Sequence, residues 1–350
     1  MVFSFQSNIK PIPRYLEEQA TLFLPGFYQP DIGNFWGLDK SMNMTSSIAD
    51  LPLGLEEIKA FSKDYIGEVA RFNGNAQDIP TVDVEFGELG GIKTAIYINA
   101  ATWTKFELEK QKLAQANQTY MPSLDIVSEK MAAMGEFHNR NEHAVVLYGF
   151  DGDGGIYNLS GVSALDIADD VYNDTFTPKQ LYNLIVNQIY EFKSDNFLKN
   201  MSRIELLIPT PLMRKMAEPI NDNYDSVTVY QKLTDASQGF YVGTINDAFE
   251  NEGEHLNTKI NKGTDPYPVN RDRIIMKVKG TAQPTTNSIL GNNNAKNEPI
   301  VRHYFPRIVE QTFTPDGGLT YKKFSYSATS KSYAMRPQRI KYLDINNASK

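Results

Sequence analysis

Asp151–Gly155, reading DGDGG, is where residue type and spacing come nearest to a known chemistry in this chain. Two carboxylates one residue apart open a calcium loop, which then needs a third oxygen ligand at its fifth position and an acidic residue at its twelfth. Those positions hold Gly155 and Val162, so a tight turn is the better reading. His138 and His143 lie five residues apart, which on a helix separates them by about 140° and denies them a shared metal. They read as polar residues near a helix end. His255 and His303 sit in no catalytic context, and zero cysteines exclude thiol catalysis, disulfides and cysteine-based metal sites. The pairs Asp169–Asp170 and Glu56–Glu57 could act as acid and base, but adjacent acidic residues more often face solvent. No G-x-S-x-G, P-loop or G-x-G-x-x-G pattern occurs. No catalytic, cofactor-binding or metal-binding residue is therefore assigned. A metal-assisted hydrolase built on Asp151, Asp153 and a nearby histidine is a distant alternative.

The elements around that turn point elsewhere. Thr81–Phe86 alternates apolar Val82, Val84 and Phe86 with Asp83 and Glu85, and Ile92–Ile98 alternates in the same way. Gly87–Gly91, reading GELGG, bends the chain between them, so the pattern predicts a β-hairpin. A lone two-stranded ribbon is barely stable in water, and nothing adjacent in sequence offers a third strand. Its apolar face needs a partner surface, and another copy of the same chain is the expected one. That points to assembly rather than catalysis.

Residues 1–55 are rich in Pro, Gly, Met and aromatics and show no sustained period. Phe23, Phe27, Tyr28, Phe35 and Trp36 are residue types in which a disordered tail is poor. The segment is either an extended arm docking these aromatics on other surfaces or an irregular cap on its own domain. Leu55, Ile58, Phe61, Tyr65, Ile66 and Val69 make a helical stripe over residues 55–72. Thr104-x-x-Glu107 starts another helix with a capping box. A long helix follows from about 123 to 139, with Leu124, Val127, Met131, Met134 and His138 on one face. His143–Phe150 is a strand or the close of that helix. Thr177, Pro178 and the stripe Leu181, Leu184, Ile185, Ile189, Phe192 mark the clearest helix of the chain. Arg203–Pro209 reads as a buried strand followed by a short helix. Residues 251–270 and 280–299 read as loops, residues 271–280 as a strand and the C-terminus as strand-rich. Strands and helices mix without strict βαβ alternation, so the fold class is α+β.

The 350 residues, 41% hydrophobic and 22% charged, give ample length for real cores. No apolar run is able to cross a bilayer, and the N-terminus lacks the pattern of a secretory signal. A soluble chain made in a cytoplasm is expected. A net charge of −7 argues against a primary nucleic-acid binder. Residues 301–350 nevertheless carry nine basic residues against three acidic ones. That excess is a solvated surface, one of two complementary subunit faces or, third, a DNA-facing patch.

Three stretches carry a resemblance. Residues 79–114 (IPTVDVEFGELGGIKTAIYINAATWTKFELEKQKLA), 128–162 (SEKMAAMGEFHNRNEHAVVLYGFDGDGGIYNLSGV) and 333–344 (YAMRPQRIKYLD), in this order and with the strand DRIIMKVKG, resemble the major capsid protein of tailed bacteriophages. This is the Hong Kong ninety-seven-like fold, which encapsulins share. The resemblance implies an N-terminal arm (1–55), a peripheral-domain helix (56–77) and an extended hairpin loop (78–100). It further implies a peripheral domain with a long spine helix (101–164), an axial domain (165–300) and C-terminal strands completing both domains (301–350). Val82, Val84, Phe86, Leu89, Ile92, Lys93 and Ile96 would touch a neighbouring subunit through the hairpin, and Phe23, Phe27, Tyr28, Phe35 and Trp36 through the arm. Some family members cross-link a hairpin lysine to an asparagine next door; Lys93 lies at the matching end, without a matching asparagine context. The implied function is a non-enzymatic major capsid protein, synthesised in a host cytoplasm and located in the virion. Its hexamers and pentamers would close an icosahedral shell around double-stranded DNA, bound non-specifically, with no membrane contact. Portal and scaffolding proteins, and in some members a decoration protein, would be its partners. An encapsulin-type compartment is the alternative.

Overall fold

The computed structural model describes residues 44–66, 83–116, 126–150, 153–196, 203–220, 227–235, 242–260, 267–278, 299–312 and 319–350. Thirteen strands and six α-helices are labelled in chain order. The strands are β1 (Ser46–Ile48), β2 (Glu57–Ile66), β3 (Asp83–Thr104), β4 (Gly149–Phe150), β5 (Asp153–Gly154), β6 (Ser163–Asp170), β7 (Ile204–Pro209), β8 (Val242–Ala248), β9 (Arg271–Val278), β10 (Ile300–Thr312), β11 (Thr320–Ser330), β12 (Tyr333–Ala334) and β13 (Ile340–Asn346). The helices are α1 (Lys105–Ala116), α2 (Ile126–Tyr148), α3 (Pro178–Asp195), α4 (Thr210–Met216), α5 (Val229–Thr234) and α6 (Gly253–Ile260). The chain is α+β, as its mixed pattern implied. No helix among the described residues is long and apolar enough to cross a membrane.

Contacts divide the chain into two compact units. The smaller includes Ala100–Gly135 and Glu310–Phe324. Here the predicted capping box forms: Glu107 N–H donates to Thr104 Oγ1 (3.2 Å) and Thr104 N–H to Glu107 Oε2 (2.8 Å). These bonds satisfy backbone donors that the first turn of α1 leaves open. Ala101, Trp103 and Met134 are buried together, with Leu108, Val127, Met131 and Tyr321 packed on them. The predicted stripe Val127–Met131–Met134 is thus the inner face of α2 in this unit; Leu124 lies outside the described residues.

The larger unit holds a mixed five-stranded sheet in the order β6-β13-β9-β7-β8. Leu206, Ile208, Ile274 and Met276 alternate onto one face, under Leu181, Ile185, Ile189 and Phe192 of α3. Leu207, Ile275 and Tyr342 point to the other, beneath Val146 and Leu147 of α2 and Leu256 of α6. A central strand covered on both sides is apolar at most positions, and all of β7 is buried, its one charged residue, Glu205, being paired with Lys277 at 3.0 Å. Helix α3 begins where Thr177 and Gln180 form a reciprocal cap ahead of Pro178. Arg273 lies buried between the Tyr267 and Tyr342 rings and holds Asp344 through two bonds of 2.7 Å.

A second sheet runs β1-β10-β11-β3-β2, with β12 on β10. It corrects two expectations. Residues 57–66 are a strand, not a helix. Ile58, Ala60 and Ile66 share one parity and Phe61 and Tyr65 the other, so no period of two shows in the sequence and the i, i+3, i+7 spacing imitates a helix. Pairing with a distant strand decides the outcome. The GELGG stretch is likewise no hairpin turn. β3 passes straight through it for 22 residues, and its hairpin partner is β2.

Two smaller differences follow. Residues 253–260 form α6, whose inward face carries only Leu256 and Ile260, too short a stripe to read. His138 and His143 lie in the body of α2, not near its end: the helix runs on through the apolar stretch after His143 and stops at Gly149, whose φ of +75° is a left-handed terminator.

Candidate assembly surface

β2 and β3 pair antiparallel from Glu57↔Lys93 to Ile66↔Asp83. Between Ile58↔Ile92 and Ala60↔Leu89 the register slips, placing Gly90 and Gly91 opposite Lys59. The glycines read as a turn are thus a β-bulge, which bends and twists the strand pair. β11 takes up the opposite edge of β3 only further along. Lys331 N–H donates to Lys93 O (3.2 Å), and Ser325 Oγ donates to Asn99 Oδ1. Among the described residues, no strand pairs with that edge of Asp83–Ile92. The outer half of the hairpin is therefore a two-stranded ribbon and the inner half of β3 is embedded in a sheet.

The predicted contact residues divide accordingly. Val82, Phe23, Phe27, Tyr28, Phe35 and Trp36 lie outside the described residues. Val84 is half-buried on the ribbon. Phe86 pairs with Lys63 and Leu89 with Ala60 through the backbone. Ile92 is a correction: it is 2% exposed and packs with Ile48, Val301 and Tyr333, so it belongs to its own subunit's core. Lys93 is exposed at the ribbon's root, and Ile96 is 51% exposed.

Sequence reasoning passed over three neighbours. Ile98 is 66% exposed and lies one alternation beyond Ile96 on the same face of β3. Leu55 accepts a hydrogen bond from the Thr94 side chain, and it and Leu53 are also exposed. Large aliphatic side chains are thus exposed near the ribbon's root, Ile96 and Ile98 on one face of β3 and Leu53 and Leu55 in the turn that leads into β2. The signal for Ile98 was present, since it continues the Ile92–Ile98 alternation.

The opposite face of β3 is closed by α2. His138 is 6% exposed. Its Nε2 meets two acceptors, Asn99 Oδ1 (3.1 Å) and Ser325 O (3.3 Å), so the proton sits there and Nδ1 accepts from Ser327 Oγ (3.0 Å). Burial holds the ring's pKa below the ordinary histidine value, with Arg307 adding to the effect. His143 instead faces Glu250 at 3.4 Å.

The metal reading finds little to build on. Asp153 holds Lys331 at 2.9 Å on the β4–β5 hairpin. Among the described residues, no three His, Asp or Glu side chains group as a metal would require. The basic C-terminus is partly absorbed inside the subunit. Arg302, 1% exposed, pairs with Glu142 at 2.6 Å. Lys341 pairs with Glu191 and Lys350 with Glu252.

No family model and no curated protein matches the chain. Solved structures do. The capsid of Myoviridae phage XM1 aligns at 13% identity with a TM-score of 0.65, covering 97% of this chain and 99% of that one. The capsid of a native GTA particle aligns at 9% identity and a TM-score of 0.54, covering 98% and 100%. The capsid of cyanophage P-SCSP1u aligns at 12% and 0.52, again covering 98% and 100%. With nearly the whole of each chain superimposed, this protein has the tailed-phage capsid fold.

Proposed function

We propose that this chain is a major capsid protein whose copies assemble into an icosahedral shell. The observation that carries the reading is the two-stranded ribbon, with exposed aliphatic residues near its root, on a fold shared end to end with capsid subunits. Such a ribbon gains stability by lying on another surface. Copies that embrace their neighbours bury the large areas typical of permanent assemblies. Val84, Phe86, Leu89, Lys93 and Ile96 would meet the adjoining subunit, and the aromatic N-terminal segment another. The role is structural rather than enzymatic. The shell would belong to a virion, its subunits made in the host cytoplasm, with portal and scaffolding proteins and in some virions a decoration protein. An excess of acidic residues suits a container for non-specifically held double-stranded DNA, since like charge limits adhesion to phosphate. Light scattering and electron microscopy of the expressed chain test this. Closed particles of many copies are expected, and a compact monomer at all concentrations overturns it.

A further inference from the structure

The ribbon's root is held by a short relay of polar side chains. After β1 pairs with β10, the chain passes Asp50, whose Oδ1 lies 2.5 Å from His303 Nδ1. His303 Nε2 lies 2.9 Å from the Tyr333 hydroxyl, and the two rings are stacked 5° from parallel. A carboxylate can only accept, so Nδ1 carries a proton and donates it to Asp50, which leaves Nε2 to bond the Tyr333 hydroxyl. His303 is 3% exposed and its own N–H donates to Ser330 Oγ (2.9 Å). Asp50, by contrast, keeps 38% of its side chain in water and belongs to none of the apolar clusters.

Both ribbon strands start from this point. From Asp50 the chain makes one turn, through Gly54 at φ +90°, into β2; there Glu56 O accepts from Thr94 N–H (3.0 Å). On the other side, Lys331 beside Tyr333 holds Lys93 O. The small core beneath consists of Ile48, Ile92, Val301 and Tyr333, with Ile58 packed on it. We propose that Asp50, His303 and Tyr333 are a positioning clamp, fixing the ribbon's direction so that it meets a second copy of the chain already oriented. This rests on the shell reading above. A ribbon held in its bound direction loses less freedom on association, which is how preorganisation strengthens binding.

The test compares the full chain with Asp50→Ala and Asp50→Asn. Sedimentation measures the assembled fraction, thermal melting the unassembled chain, and hydrogen exchange the root at residues 56–58 and 92–94. For Asp50→Ala, exchange at the root rises and the assembled fraction falls about tenfold, while melting moves by less than about 2 °C. Asp50→Asn, whose amide oxygen still accepts from Nδ1–H, recovers most of the assembly. Unchanged root exchange in Asp50→Ala overturns the clamp, whether or not shells form. Wild-type assembly by Asp50→Ala, equal failure of both variants, or exchange rising throughout the five-stranded sheet overturns the positioning role. If the wild-type chain forms no shell, the shell reading and the positioning role fall together, and root exchange still decides whether the clamp exists.

Discussion

Ile92 and Ile98 sit six residues apart on one strand and should fail in opposite ways. Ile92 is 2% exposed among Ile48, Val301 and Tyr333. Truncating it to alanine removes buried methyl groups and leaves a cavity, at a cost of about 2–5 kcal/mol to the folded subunit. Ile98 is 66% exposed, so Ile98→Asp should alter subunit stability by no more than about 0.5 kcal/mol. In a shell the balance reverses. Fully burying an isoleucine stabilises by about 1.5–3 kcal/mol, and two-thirds of that is about 1–2 kcal/mol per contact. Its loss weakens each contact by about 5- to 30-fold, before counting the desolvation of the new carboxylate. Urea denaturation of the unassembled chain and sedimentation at matched concentrations separate the two effects. The reasoning is refuted if Ile98→Asp assembles like the wild type, or unfolds as readily as Ile92→Ala.

Other perturbations test the subunit itself. His138 is held neutral by burial, below its unfolded value of about 6.5. The unfolded chain then binds the extra proton, so this contribution is complete above that pH and is lost as pH falls through it. Melting temperatures between pH 8 and pH 5 should show the loss, and His138→Gln should flatten that part of the profile. Arg302→Ala leaves Glu142 without its 2.6 Å partner. Glu142 retains some solvent contact, so the low end of the range applies, about 3 kcal/mol; urea midpoints read it, and Glu142→Gln in the same chain should recover part. Thr177→Ala removes the side-chain cap of α3 and should cost about 1 kcal/mol, measured by the same denaturation.

What the sequence showed depended on whether the deciding interaction was local. The start of α3 was legible because Thr177, Pro178 and Gln180 act within one turn, and the α1 cap was legible for the same reason. β7 announced itself as a short, mostly apolar run and β9 through its Ile274–Met276 centre, although both carry buried charges, Glu205 in the first and Asp272, Arg273 and Lys277 in the second. β2 did not, since its partner lies beyond a long stretch of chain and its apolar residues fall on both parities. The stretch GELGG carries the composition of a turn and adopts a bulge, because β2 on one side and β11 further along keep β3 extended through it. The candidate site was half legible. Alternation located Ile96, and the family resemblance Lys93, but Ile92 was treated as their equal. Only the fold shows that β1, β10 and β12 cover one end of that face and leave the other end bare.

The most direct test is a cryo-electron microscopy reconstruction of the assembled protein, traced through residues 57–66 and 83–93. The ribbon is predicted to leave its own subunit at Lys93 and lie across an adjacent copy, with Ile96 and Ile98 covered at the contact. A ribbon folded onto its own subunit, touching no other copy, contradicts the account.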